Sequence, residues 1–210
     1  MRAYVIVSGV GGQGVMLLSR TIATAAQLEG YEVSGSEIHG HAVRGGTAYA
    51  MVSYGDSIGS PRVPLGRADA LLSTELLEGL RWSNYLRRDG FAFVSTTRSV
   101  PVNVTLRGER YPTLDQVRQV LGRITRNAFF LDPERAALSL GERRLSSAVM
   151  YGAFASAFSS EIGEEALLKA LRRNVPRGTE ERNVQAFNIG RGLAKESYVQ
   201  RDPRGTSPQM

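Results

Sequence analysis

The sequence predicts an α/β fold: a mostly parallel sheet covered by helices on both faces, with a Rossmann-like start and a helical C-terminal closure. Three observations predict it. An apolar run near the N-terminus leads into a glycine cluster and then into helix-spaced hydrophobic residues. Short apolar segments then alternate with helical patterns, the signature of a parallel sheet. From Ser146 onward the pattern is helical only. The 210 residues, 42% hydrophobic, suffice for one sizeable core. Residues 1–196 read as a single domain. Residues 197–210, polar and punctuated by Pro203, Gly205 and Pro208, read as a disordered tail.

The elements follow in order. Tyr4–Val7 is an unbroken apolar run suited to a buried parallel strand. Val15–Leu28 carries Val15, Leu18, Ile22, Ala25 and Ala26 at helical spacing and stops at Gly30. Tyr31–Ser34 fits a second strand, and Ser36–Gly46 is polar and glycine-rich, a loop. Thr47–Tyr54 alternates like a strand; Ala70–Ser73 is a short buried one, followed by a helix over Glu75–Leu86. Asp89-Gly90 signals a turn into strand Phe91–Val94, and Val102–Leu106 is a further strand. Thr113 and Gln116 have capping-box spacing. After strand Ala128–Leu131, Asp132-Pro133 supplies an N-cap and a first-turn proline. Helices over Ser147–Phe158, Glu164–Arg173 and Glu180–Lys195 close the chain. In the last, Val184 and Phe187 are placed inward and Arg182 and Arg191 in solvent.

Composition narrows the chemistry. With no cysteine, the chain has no thiolate for a disulfide, a cysteine-ligated zinc or an iron–sulfur cluster. No run of about 18 apolar residues predicts a membrane span, and the apolar stretch after Met1-Arg2 is too short for a signal peptide. A cytoplasmic protein is expected. The net charge of +6 raises the question of nucleic acid. The cations, however, are spread from Arg2 to Arg204, without the interleaved aromatics of a stacking platform. No nucleic-acid partner is expected.

Two loops carry the chemistry. Gly9, Gly11 and Gly14 satisfy G-x-G-x-x-G between a strand and a helix, with Gly12 and Gln13 inside the loop. Glycine there lets a ligand approach the backbone, and the helix N-terminus offers N–H groups to an anion. Glu37 stands at the distance of a ribose-binding acid. The other reading is purely architectural, a tight turn that packs helix on strand, and the pattern leaves both open. The loop lacks a G-K-[ST] ending, which argues against ATP hydrolysis. In the second loop Glu37, His39 and His41 alternate, so an extended backbone would put them on one face. That permits a metal reading, but no further ligand set accompanies it, and no metal is expected. Arg44, beside Gly45 and Gly46, is suited to a carboxylate or phosphate. Packing of this loop against a partner chain is the plainer alternative.

Taken together, Gly-Val-Gly-Gly-Gln-Gly-Val at Gly9–Val15 and Ser-Glu-Ile-His-Gly with Arg-Gly-Gly within Ser36–Gly46 resemble one family. It is that of the gamma-type subunits of 2-oxoacid:ferredoxin oxidoreductases acting on pyruvate or 2-ketoisovalerate, with the small (beta) subunits of indolepyruvate:ferredoxin oxidoreductases nearest. Ala68-Asp69-Ala70-Leu71-Leu72 before Glu75 and Glu78, and Asn183, Ala186, Phe187 and Gly190 near the C-terminus, agree with the family pattern. The resemblance implies an oxidoreductase subunit, inactive alone, in a complex that converts a 2-oxoacid and coenzyme A to acyl-CoA and CO2. It implies that thiamine diphosphate, iron–sulfur clusters and coenzyme A are held on, or shared with, a large partner subunit, and that ferredoxin takes the electrons. Glu37, His39 and Arg44 become possible contributors to the cleft. Gly9, Gly11, Gly12, Gln13, Gly14, Gly45 and Gly46 become a possible phosphate-binding set. A stand-alone NAD(P)- or nucleotide-binding protein is the alternative.

Overall fold

The computed structural model describes residues 2–39, 46–99 and 110–201. Its six strands are β1 (Arg2–Val10), β2 (Glu32–His39), β3 (Thr47–Gly55), β4 (Ala68–Ser73), β5 (Leu86–Ser95) and β6 (Asn127–Leu131). They form one sheet in the order β2-β3-β1-β4-β5-β6. The β1–β4, β4–β5 and β5–β6 pairs are parallel. Strand β3 runs against both its neighbours. The start is thus Rossmann-like in sequence order only: β1, a glycine loop and a helix lead to a parallel β2, but β3 lies between β1 and β2.

Side-chain alternation divides the sheet into two faces. On the first, Val5, Val7, Leu72, Phe93 and Phe129 join a core with helix α1 (Val15–Leu28), supplied by Leu18 and Ile22. On the second, Ile6, Leu71, Ala92 and Val94 pack with Val117 and Leu121 of α3 (Leu114–Ile124) and Leu76 of α2 (Leu76–Arg81). The first face also carries α4 (Pro133–Ser139), α5 (Ser146–Phe158), α6 (Glu164–Asn174) and α7 (Glu180–Arg201). Helix α5 is apolar on nearly every side, as a helix sandwiched between layers must be. It meets α7 at glycine: a Cβ on Gly152 would lie 1.9 Å from the Phe187 carbonyl oxygen, and one on Gly190 1.8 Å from that of Val149.

Local signals hold at several ends. Helix α1 has the bounds its periodicity predicts. Thr113 and Gln116 form a reciprocal capping box at α3, and Asp132 caps α4 with Pro133 in its first turn. Thr113→Ala should cost about 1 kcal/mol, read as a lower denaturation midpoint at unchanged m-value.

Other expectations need correction. The helix expected over Glu75–Leu86 ends at Arg81: a 3-10 turn spans Ser83–Tyr85, and Leu86 already belongs to β5. Trp82 is drawn off the helical path between the rings of Tyr49 and Tyr85, 4.0 and 5.2 Å away. Asp89-Gly90 is not a turn before a strand but an irregularity inside β5, where Asp89 has φ 65° and the register with β4 shifts. Strand β2 continues to His39, because pairing with β3 satisfies the backbone of a segment whose side chains read as loop. Arg191 is not solvated. Its side chain is 22% exposed and pairs with Glu164 at 2.7 Å, and its Nε is buried without an acceptor. Helix α7 reaches Arg201, beyond the expected start of the tail. The expected strand Val102–Leu106 and residues 202–210 lie outside the described residues.

Candidate anion-binding cleft

The chain leaves β1 toward the first face through α1 and leaves β4 toward the second through α2. The carboxyl ends of these adjacent parallel strands therefore mark a topological switch point, where open α/β sheets place ligands. A cleft of about 790 Å³ opens there, lined by the glycine loop, Thr74, Thr97 and the starts of α4 and α5.

The glycines of the loop have distinct tasks. Gly9 is architectural: a Cβ there would fall 1.8 Å from Thr74 Oγ1. Thr74 donates to Gln13 Oε1 at 3.0 Å, and Gln13 Oε1 also accepts from the Val10 amide. Gln13 thus braces the loop from within. Gly11 donates its amide to the Gly46 carbonyl at 2.8 Å, tying the loop to the entry of β3. Gly14, at φ 81°, lets α1 begin against α5, since a Cβ would meet Ser147 Cβ at 2.8 Å. Gly12, at φ 95°, has open space where a Cβ would stand. The architectural reading therefore describes Gly9 and Gly14, and Gly12 has the free approach that the ligand reading requires.

The polarity of the cleft follows from its helices. Helices α1 and α5 both start there, and neither has a side-chain cap, whereas Glu75, Thr113 and Asp132 cap α2, α3 and α4. At α1 the first-turn amides can attract an anion; α5 continues from the 3-10 turn Arg143–Leu145, and its Ser146 amide already donates to the Arg143 carbonyl. Two carboxylates also line the space, but each is engaged: Glu134 by Arg143 at 2.6 Å and Glu142 by Arg182 at 3.0 Å. Arg144 lines the same wall and has no carboxylate partner among the described residues.

Glu37 lies elsewhere. Its carboxylate accepts from Ser19 of α1 at 3.0 Å and sits 3.7 Å from Arg20, fastening β2 to α1. With β3 between β1 and β2, Glu37 does not line the cleft, and the geometry of a ribose-binding acid is not formed. The side chain of His39 and all of residues 40–45, with His41, Arg44 and Gly45, lie outside the described residues.

Two fully buried carboxylates flank the cleft, unassigned by sequence patterning beyond their place in the family segment. Glu75 accepts from Tyr111, from the Glu78 amide at 2.9 Å and from the Ser99 amide at 3.4 Å. Glu78 accepts from Thr47 at 3.1 Å, while its other oxygen is buried without a partner. Burial pushes both above the usual carboxylate range, Glu78 to about 7 against the weaker opposing pull of Arg81 and Thr47. The signal for them in sequence was only two glutamates three apart at the start of an apolar helix.

A six-stranded α/β domain with a glycine loop at its switch point defines an α/β class of protein with a candidate ligand cleft at the carboxyl ends of its parallel strands. Residues 4–193 match the family model described as pyruvate ferredoxin/flavodoxin oxidoreductase, and the chain belongs to that family. It is 33% identical over 198 residues to the indolepyruvate oxidoreductase subunit IorB of Thermococcus kodakarensis, covering 93% of this chain and 98% of that subunit. It therefore corresponds, over nearly its whole length, to a small subunit of these oxidoreductases. Its fold matches the crystal structure of a keto/oxoacid ferredoxin oxidoreductase gamma subunit from Geobacter sulfurreducens. The TM-score is 0.67 and the identity 23%, with 92% of this chain and 99% of that one covered. It also matches the 2-oxoglutarate:ferredoxin oxidoreductase of Magnetococcus marinus, with bound 2-oxoglutarate, coenzyme A and succinyl-CoA. There the TM-score is 0.68 and the identity 18%, and the match covers 93% of this chain but 31% of that one.

Proposed function

We propose that this chain is the cluster-free small subunit of a cytoplasmic thiamine diphosphate-dependent 2-oxoacid:ferredoxin oxidoreductase, of the indolepyruvate, pyruvate or 2-ketoisovalerate type. Its cleft receives the phosphates of coenzyme A. The observation that carries the reading is the cleft itself, at the switch point of a domain whose whole length matches small subunits of this family. The residues fit a phosphate: open backbone at Gly12, the uncapped first turn at Val15, and Arg144. They do not fit the redox groups. The chain has no thiolate for an iron–sulfur cluster. In this reading, thiamine chemistry and electron transfer to ferredoxin reside on the large companion subunit. This chain's part is to bind and orient the anionic end of the acyl acceptor. The nucleotide-binding alternative loses its main support with Glu37 bound to Ser19.

The test uses the reconstituted complex. Ser146→Asp loses the hydroxyl's bond to the Arg143 carbonyl but gains a favourable first-turn charge, so the melting temperature of the chain should change little. It should nonetheless raise the KM for coenzyme A by about tenfold, the equivalent of roughly 1.4 kcal/mol, and Arg144→Ala should act in the same direction. Unchanged KM in both variants removes the cleft from the reading. Absence of 2-oxoacid-dependent ferredoxin reduction by the wild-type complex removes the reading itself.

A further inference from the structure

Among the described residues, the second face of the sheet is covered by helices only in part. Helices α2 and α3 pack over β1, β4, β5 and β6, but no described helix packs broadly over β2 and β3 on that face. These strands pair antiparallel, and where such a sheet leaves a face to solvent the residues on it are ordinarily polar. What stands there is a chain of half-buried aromatics: Tyr49, Trp82 and Tyr85 in ring contact, with Tyr4 on the same face. Leu65, 64% exposed and the most exposed large hydrophobic residue described, stands beside them, because the Gly66 amide donates to the carbonyl of Asn84 between Trp82 and Tyr85.

The border of this patch is basic. Arg2 lies over the Tyr4 ring at 4.9 Å, Arg81 directly precedes Trp82, and Arg62 and Arg67 flank Leu65; all four are exposed. Asp69, bonded to the Tyr4 amide, is neutralised by Arg87 at 2.7 Å, and Glu78, near Arg81, is fully buried. Tryptophan, tyrosine and arginine around an apolar centre are the composition of protein interfaces. Charge selects the occupant. A second copy of this chain in a two-fold contact would bring arginines against arginines.

We propose that this aromatic face, centred on Trp82 and Leu65, is the docking surface for a protein partner with an apolar centre and a carboxylate rim. That partner is the companion subunit, an assignment that rests on the function proposed above. Arg2, Arg62 and Arg67 steer the encounter, and the aromatic chain with Leu65 supplies the dry centre.

The experiment is co-expression with the companion subunit, followed by affinity measurement between the purified chains at low and high salt. Leu65→Asp and the pair Arg62→Glu with Arg67→Glu alter exposed positions, so folding is preserved. Each should weaken assembly at least about tenfold, the charge reversals losing much of their effect at high salt. Lys169→Glu with Arg173→Glu, on α6 across the sheet, should assemble as wild type does. If the wild-type complex forms and the patch variants bind equally well, this surface is wrong and the functional reading stands. If no companion binds the wild-type chain, both are overturned. A free chain that is a dimer, dispersed by Leu65→Asp, would assign the surface to self-association and overturn the proposal.

Discussion

Gly190→Ala should be among the most destabilising single-methyl changes in the protein, by about 2–4 kcal/mol, and Gly192→Ala two residues away should be neutral or stabilising. An added Cβ at position 190 would overlap the Val149 carbonyl oxygen at 1.8 Å, whereas at position 192 it meets nothing within 4 Å. The obstacle at 190 is backbone inside a buried helix and has no rotamer by which to yield. Helices α5 and α7 would have to separate, losing contacts around Phe187 and Tyr151, both fully buried. Overpacking a tight core costs about 1–3 kcal/mol when side chains can adjust, and more when they cannot. At position 192 only the helix propensity of alanine operates, a gain of up to about 1 kcal/mol. Urea denaturation of the pair reads the difference directly. Equal midpoints would mean that the helices are not in the close contact described.

Glu78 should make the protein lose stability as the pH rises from about 4.5 toward about 7. Burial raises its pKa from 4.5 to about 7. Between those values the folded chain keeps a proton that the unfolded chain has released, so stability falls as pH increases across the window. With about 1.4 kcal/mol per pH unit, the full effect is on the order of 3 kcal/mol. Glu78→Gln keeps the shape and the acceptor for Thr47 but cannot ionise. Its stability should vary less between about pH 5 and pH 8, and at the upper end it should match or exceed wild type. Glu75, also raised by burial, leaves a residual slope in both proteins. Parallel pH profiles for wild type and variant would show that Glu78 does not change protonation in this range.

What the sequence makes legible is local. The bounds of α1, the capping box at Thr113 and the Asp132-Pro133 start depend on neighbours within four residues, and such signals survive folding. Strand direction is different. Alternation in Thr47–Tyr54 marks a strand without saying which way it runs, so the reversal of β3, and with it the removal of Glu37 from β1, was invisible. The Asp89-Gly90 pair signals positive φ correctly, but whether that φ makes a turn or a bulge depends on Ala68 and Ala70 of another strand. For the site, the glycine spacing located the loop, yet only tertiary contacts divide it into Gly9, locked against Thr74, and Gly12, open to the cleft. In the sequence, Arg143 and Arg144 are simply adjacent arginines. That Arg143 meets Glu134 while Arg144 faces the cleft is a matter of helix placement, not of sequence spacing.

The position of α5 has a consequence for biosynthesis. This helix is complete when residue 158 has been made, but the backbone surface that covers Gly152 comes from residues 180–201. On a ribosome adding roughly 5–20 residues per second, the apolar flank of α5 waits on the order of seconds, including passage through the exit tunnel, before α7 can cover it. During that interval the nascent chain presents Phe154, Tyr151 and the glycine groove as a sticky strip. Chaperone capture, and aggregation when synthesis stalls, should concentrate there.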